Sequence, residues 1–234
     1  MVVGIISSFL CFVFLVLDHY FRIINGSTLG LSLVFKILAS SCFLCLGLYS
    51  FFRCKDKSDE FKKVSLLILF GLINSLLADL FLELNFYAGF LIFISAHILY
   101  FCAFSVYSKF SLKKWIFIAV FTGVFSVCDW FAPWFEFGIL FPFVIFYTCV
   151  WTFVMAKAAD SFKWNSIQAK LMPVGIILFG MSDILLQFNV FPAESLSKEA
   201  ASVMFIISNS FYYGAQLVIA YSISKNYLKD KPQQ

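Results

Sequence analysis

Four side chains that can ionise sit inside long apolar runs of this sequence: Lys36, Asp79, His97 and Asp183. An ionisable group within a hydrocarbon layer costs about 2.5–3.5 kcal/mol on insertion scales, so its presence calls for pairing or chemistry. Lys36 and one Asp would form a neutral pair that locks helices together. The second carboxyl is then unbalanced. Two acids near one base in a low dielectric leave one acid protonated beside an ionised partner, the arrangement that general acid–base catalysis uses.

The depths of these groups coincide. With a rise of about 1.5 Å per residue, Lys36 lies roughly 10 Å below one surface and the two Asp residues roughly 8–12 Å below the same surface. His97 and Tyr147 come out near 15 Å, with Tyr213 slightly deeper. Different apolar runs therefore aim polar groups at one layer.

The runs that carry them are membrane spans. Of the 234 residues, 62% are hydrophobic and 13% charged, more apolar surface than a soluble domain of this length hides. The runs are about 16–24 residues long, which suits α-helices rather than barrel strands. The expected fold is all-α, a polytopic transmembrane bundle filling 1–234 as one integral membrane domain. About eight spans are expected, at 2–18, 29–52, 64–84, 87–108, 112–129, 136–156, 171–189 and 201–224. The first run has no basic leader segment before it and no A-x-A exit, so it reads as a span.

Charge tests that count. Arg53, Lys55, Lys57, Lys62, Lys63, Lys109, Lys113, Lys114, Lys157, Lys163, Lys170, Lys225, Lys229 and Lys231 all fall on one side of an eight-span chain, and only Arg22 and Lys198 on the other. The positive-inside rule then places both termini in the cytoplasm and the acid layer nearer the opposite face. The net charge of +4 reflects this bias and not nucleic-acid binding. Trp130, Trp134 and Tyr20 fall near outer span ends, where belt aromatics collect.

Spans three and seven echo one another. Ala78-Asp79-Leu80-Phe81-Leu82-Glu83-Leu84-Asn85 aligns with Ser182-Asp183-Ile184-Leu185-Leu186-Gln187-Phe188-Asn189, and Leu69-Phe70-Gly71 and Leu178-Phe179-Gly180 precede them. A 4+4 parallel internal repeat would produce this pattern. Chance likeness of two apolar helices is the alternative.

Other polar residues read more plainly. Glu83, one turn past Asp79, lies close to the interface and is expected to be solvated. Asp129 and Glu136 are expected to be solvated or to line a mouth. Asn74 and Gln216 are expected to bond between helices. The seven cysteines, including the Cys42-x-x-Cys45 pair, read as space-filling residues. With His19 as the other histidine, His97 lacks partners for a zinc site. G-x-S-x-G, H-E-x-x-H and P-loop motifs are absent.

Four segments, in order, carry a resemblance. Gly71-Leu-Ile-Asn-Ser-Leu-Leu-Ala-Asp79 is similar to a G-x-x-x-S-x-x-G-D motif, and Phe90-Leu-Ile-Phe-Ile-Ser-Ala-His97-Ile-Leu-Tyr100 to an F-x-x-x-H-x-x-Y helix. Gly175-Ile-Ile-Leu-Phe-Gly-Met-Ser182-Asp183 is similar to G-A-x-x-F-x-x-S-D, and Tyr212-Tyr213-Gly-Ala-Gln216-Leu-Val-Ile-Ala to Y-Y-x-A-Q-x-L-I. Together they resemble the YhhN lysoplasmalogenase family from Lys36 to Ala220. Ile37 stands where that family has Pro after Lys, and Ala78 where it has Gly before the first Asp, a change that would narrow a pocket.

The resemblance implies a membrane hydrolase of lipid metabolism that cleaves the vinyl ether bond of lysoplasmalogens. The products are a fatty aldehyde and a glycerophospho-ethanolamine or -choline. It implies Asp79 and Asp183 as the catalytic pair, with no metal and no cofactor. Lys36, Asn74, His97, Tyr100, Tyr147, Ser182, Tyr213 and Gln216 are the expected supporting or substrate-binding residues. The expected partners are the lysophospholipid and the bilayer, with no nucleic acid, and the expected location is a bacterial inner membrane. Sequence leaves open which Asp is the acid, the headgroup and chain-length preference, the oligomeric state and the access route. The same charges would also serve a small proton-coupled transporter, or a scaffold held by a polar network.

Overall fold

A computed structural model describes residues 2–25, 29–54, 58–106, 111–163, 167–194 and 196–224. Among them are eight α-helices: α1 Val2–Asn25, α2 Leu31–Arg53, α3 Asp59–Leu84, α4 Phe86–Ser105, α5 Leu112–Phe131, α6 Phe141–Ala158, α7 Ile167–Val190 and α8 Lys198–Ser222. Each lies in a stretch long and apolar enough to cross a membrane. The eight expected spans are therefore present in order, and the fold is all-α. Of the basic residues that set the expected orientation, Lys55, Lys57, Lys109, Lys225, Lys229, Lys231 and the Lys163 side chain lie outside the described residues.

Helix ends follow local chemistry. The Ser58 hydroxyl accepts from Phe61 N at 3.3 Å, and Asp59 and Glu60 occupy the first turn of α3, where carboxylates favour the positive end of the helix dipole. Asn85 ends α3 and begins α4, its Oδ1 accepting from Ala88 N at 3.1 Å. This one-residue joint folds α3 and α4 into a tight antiparallel pair. Ser197 caps α8 in the same way, accepting from Ala200 N at 3.1 Å. Pro173 falls in the second turn of α7 and does not end the helix.

Four expected boundaries move by four residues or more: the end of α1, and the starts of α3, α6 and α7, which fall at Asp59, Phe141 and Ile167 where 64, 136 and 171 are expected. α1 continues past residue 18 because the polar residues there are satisfied inside the bundle: Asp18 is buried and accepts from the Ser32 hydroxyl.

The core lies between α2, α3, α4, α7 and α8, around Phe43, Phe61, Leu72, Phe104, Phe179 and Ile219. α3 packs most closely on α4, and α7 on α8. Two glycines permit this. A Cβ on Gly71 would fall 2.4 Å from the Tyr100 ring of α4, and one on Gly175 would fall 2.5 Å from Ile219 Cγ1 of α8; at the α6–α7 contact a Cβ on Gly180 would fall 1.8 Å from the Trp151 ring. α5 stands at the edge, with Ile118 and Asp129 as its buried residues. At the end of the bundle where α3 meets α4, the α5–α6 and α7–α8 connections pair through Glu136 N to Phe191 O at 3.0 Å and Ala193 N to Trp134 O at 2.9 Å.

Candidate active site

Asp79 projects from α3 and is 4% exposed. Its Oδ2 accepts from the Ser40 hydroxyl of α2 at 2.5 Å and from the Tyr212 hydroxyl of α8 at 3.0 Å. Tyr213 Oη stands 3.4 Å behind Ser40 Oγ. Two aimed donors on one oxygen suit a carboxylate.

Asp183 projects from α7, its side chain 10% exposed. The Tyr147 hydroxyl of α6 lies 2.7 Å from Oδ2 and 3.2 Å from His97 Nε2 on α4. His97 Nε2 is itself 3.8 Å from Asp183 Oδ2. His97 Nδ1 lies 3.1 Å from the Phe93 carbonyl. A carbonyl only accepts, so Nδ1 carries a hydrogen. Asp183 Oδ1 has no protein hydrogen-bond partner among the described residues.

The two acids have matching surroundings. Asp79 on α3 is held from α2 and α8, and Asp183 on α7 from α6 and α4. Moving four helices along the chain turns α2 into α6 and α3 into α7. It also exchanges α8 with α4. The echo between spans three and seven thus extends to the helices that supply the partners, as a 4+4 repeat requires.

Lys36 does not pair with either Asp. Its Nζ lies 2.6 Å from Glu83 Oε1, which also accepts from Arg22 at 2.8 Å. This corrects the reading of Glu83 as solvated, since its side chain is 11% exposed. Placement one turn past Asp79 directs Glu83 along the same helix face, into the bundle and toward two cations. Arg22 also lies over the Phe205 ring, 4.6 Å from its centroid. Asp129 is likewise buried rather than solvated, while Glu136 is exposed.

These groups surround two adjoining cavities. The larger, about 260 Å³, has Arg22, Lys36, Glu83, Tyr147, Asp183, Gln187 and Asn189 as its polar lining and phenylalanine, leucine and valine side chains elsewhere. The smaller, about 40 Å³, is lined by Asp79, Asp183, Ser182, Ser208 and Tyr212. Lys36, Leu82, Phe93, Asp183, Leu186 and Phe205 border both. A space of about 10–15 Å³ holds one water, so the inner recess admits a water between two carboxyl groups.

A family model described as the YhhN family matches residues 31–223, from the start of α2 to the end of α8. The chain belongs to the YhhN family. No curated protein and no solved structure matches it. Both carboxyl groups and Lys36, Glu83, His97 and Tyr147 fall within the YhhN match, whereas Arg22, on α1, precedes it.

Within this YhhN chain, the structure sorts the expected supporting residues. Lys36, Tyr147 and Ser182 line the cavities, and His97 and Tyr213 stand one bond behind. Asn74 bonds Ser95 at 2.8 Å, joining α3 to α4. Gln216 takes the Tyr100 hydroxyl at 2.9 Å and gives to Ser75 at 3.0 Å. Asn74, Tyr100 and Gln216 thus tie helices together away from the cavities. Sequence reasoning missed Ser40, Tyr212 and Arg22. Ser40 is one turn past Lys36, a spacing that could have found it. Tyr212 was hidden beside Tyr213, because two adjacent residues point about 100° apart on a helix and only packing tells which faces the acid.

Proposed function

We propose that this protein hydrolyses the vinyl ether bond of a lysoplasmalogen, releasing a fatty aldehyde and a glycerophospho-ethanolamine or -choline. One observation carries the reading: carboxyl groups from two helices face one recess of water size, and an apolar chamber beside it holds two cations. The YhhN membership and the resemblance set out above point to the same reaction.

Charge and hydrogen-bond accounting assign the roles. Arg22, Lys36, Glu83, Asp79 and Asp183 are the ionisable groups of opposite charge on the cavity walls. With both Asp residues ionised they carry one net negative charge, and with one proton they are neutral. Asp79 already receives two donors and needs none of its own. On the other side, Tyr147 has one hydrogen for two acceptors, Asp183 Oδ2 and His97 Nε2. The contact is complete when Tyr147 gives its hydrogen to Nε2 and Asp183 carries the proton. Shifting that proton along the chain to His97 is its tautomer. Either way the Asp183–Tyr147–His97 relay stores one transferable proton without net charge.

Asp183 accordingly protonates the β-carbon of the vinyl ether. The double-bond electrons form the new C–H bond, and the ether oxygen shares the resulting positive charge as an oxocarbenium ion. Ionised Asp79 stabilises that cation and takes a proton from the water that adds to it. The hemiacetal returns the charge: its hydroxyl proton goes to Asp183, the C–O bond breaks, and Asp79 gives its proton to the departing glycerol oxygen. The sum is vinyl ether plus water to aldehyde plus alcohol. Arg22 and Lys36 exceed Glu83 by one positive charge, which suits the phosphate of the headgroup.

The test is aldehyde release from a lysoplasmenylethanolamine by the purified, detergent-solubilised protein, with Asp79→Asn and Asp183→Asn alongside. Aldehyde from wild type, and losses of about 10²–10⁴-fold in folded variants, are expected. Folded wild type that yields no aldehyde across pH and detergents refutes hydrolysis. If it then moves a solute across vesicles without changing it, the carboxyl groups serve transport.

A further inference from the structure

α4 and α6 do not meet along their whole length. Away from the site the Phe101 and Phe153 rings approach to 5.9 Å, and at the chamber floor Phe90 and Tyr147 approach to 5.6 Å. Toward the end that carries the acids, a cavity of about 230 Å³ opens between the two helices. Phe86, Phe90, Val144 and Phe191 line both it and the chamber that holds Asp183. Its outer rim is Tyr87, Leu91 and Phe143, which are 62%, 61% and 52% exposed on helix faces that a bilayer would surround. Its lining carries no charged side chain.

We propose that this slot is the doorway and the seat for the hydrocarbon chain of a single-chain lipid, which enters sideways from the bilayer between α4 and α6. The inference rests on the lysolipid reading above. Continuity with the chamber decides the occupant. One end of the combined space presents Arg22, Lys36 and Glu83, its middle presents Asp183, and its other end is apolar and opens to lipid. A molecule lying along it has an anionic head, a reactive bond next to the head, and one chain. A polar solute gains nothing from the apolar end, and a slot of about 230 Å³ suits one chain better than two. A larger crevice lined by Gly4, Ile5, Leu46, Leu171, Leu217 and Tyr221 shares no wall with the chamber and offers no charge to a headgroup.

Two measurements test this on the full-length protein. The first is photolabelling in detergent with a lysophosphatidylethanolamine bearing a diazirine partway down its chain, mapped by peptide mass spectrometry. Labels on the segments around Leu91 and Phe143, competed away by excess unlabelled lysolipid, are expected. Labels around Leu171 and Leu217, labels that excess lysolipid does not displace (as for lipid that merely surrounds the bundle), or no labelling at all would overturn the proposal. This readout needs no turnover, so the doorway can stand if hydrolysis fails. The second is chain selectivity. Val144→Phe narrows the junction of slot and chamber. It should lower kcat/KM about tenfold for a 16-carbon alkenyl chain relative to an 8-carbon one. An unchanged ratio in a folded, active variant places the chain elsewhere, while leaving hydrolysis itself intact.

Discussion

Lys36 Nζ is bonded to Glu83 Oε1 at 2.6 Å, and not to either of the aspartates that border the same cavities. The pair takes the strongest nearby charge out of direct contact with the acids. It leaves Asp79 to hydroxyl donors from Ser40 and Tyr212. The result concentrates the charges of Arg22, Lys36 and Glu83 at one end and leaves the two aspartates to hydroxyl partners.

The Arg22–Glu83–Lys36 cluster should respond unequally to loss of its members. Lys36→Met leaves Glu83 its bond to Arg22. Glu83→Gln leaves the buried Lys36 and the part-buried Arg22 without their shared counter-charge, and removing the partner of a buried charge is strongly destabilising. Thermal unfolding should therefore show a larger fall in Tm for Glu83→Gln than for Lys36→Met. Lysolipid KM should rise for Lys36→Met.

Tyr147→Phe removes the hydroxyl that links His97 to Asp183 but keeps the ring beside Phe93, at 6.2 Å. It should lower kcat about tenfold or more with KM little changed, since the relay acts on the proton and not on the bound lipid. Steady-state kinetics on the folded variant check this. A rise in KM alone would make Tyr147 a binding residue.

Gly180→Ala should destabilise the bundle. Its Cβ would lie 1.8 Å from Trp151 Cζ2, so the indole or α7 must shift, at about 1–3 kcal/mol. A lowered Tm is expected, with partial recovery when Trp151→Phe is added. Gly123→Ala, inside α5 at a position with nothing within 4 Å, is the control and should leave Tm unchanged or raise it, since Ala favours a helix over Gly.

The basic residues predict orientation. A C-terminal fusion to alkaline phosphatase, which is active outside the cytoplasm, should be inactive, and a fusion in the connection after residue 25 should be active. The reverse pattern would invert the bundle and place the acid layer near the cytoplasm.

Much of the fold is legible in the sequence. Eight apolar runs of helical length can satisfy their backbones in lipid in one way, so the fold class and helix order follow from composition and hydropathy. Asp79, Asp183 and His97 stood out because burying such groups is costly. The echo around the two acids told that they occupy related places. What sequence did not determine was partnership. Spacing along a helix says which residues share a face, not which helix that face meets. So Glu83 reads as solvated although α1 and α2 bring Arg22 and Lys36 to it, and Tyr100 reads as a site residue although packing turns it to Gln216 of α8, whereas the interhelical bonds of Asn74 and Gln216 are as expected. The Asp183–Tyr147–His97 hydrogen-bond chain and the slot between α4 and α6 have no sequence signature. A hydrogen bond between helices depends on angles and distances of a few tenths of an ångström, and a cavity is the space that packed side chains leave. Both belong to the tertiary structure.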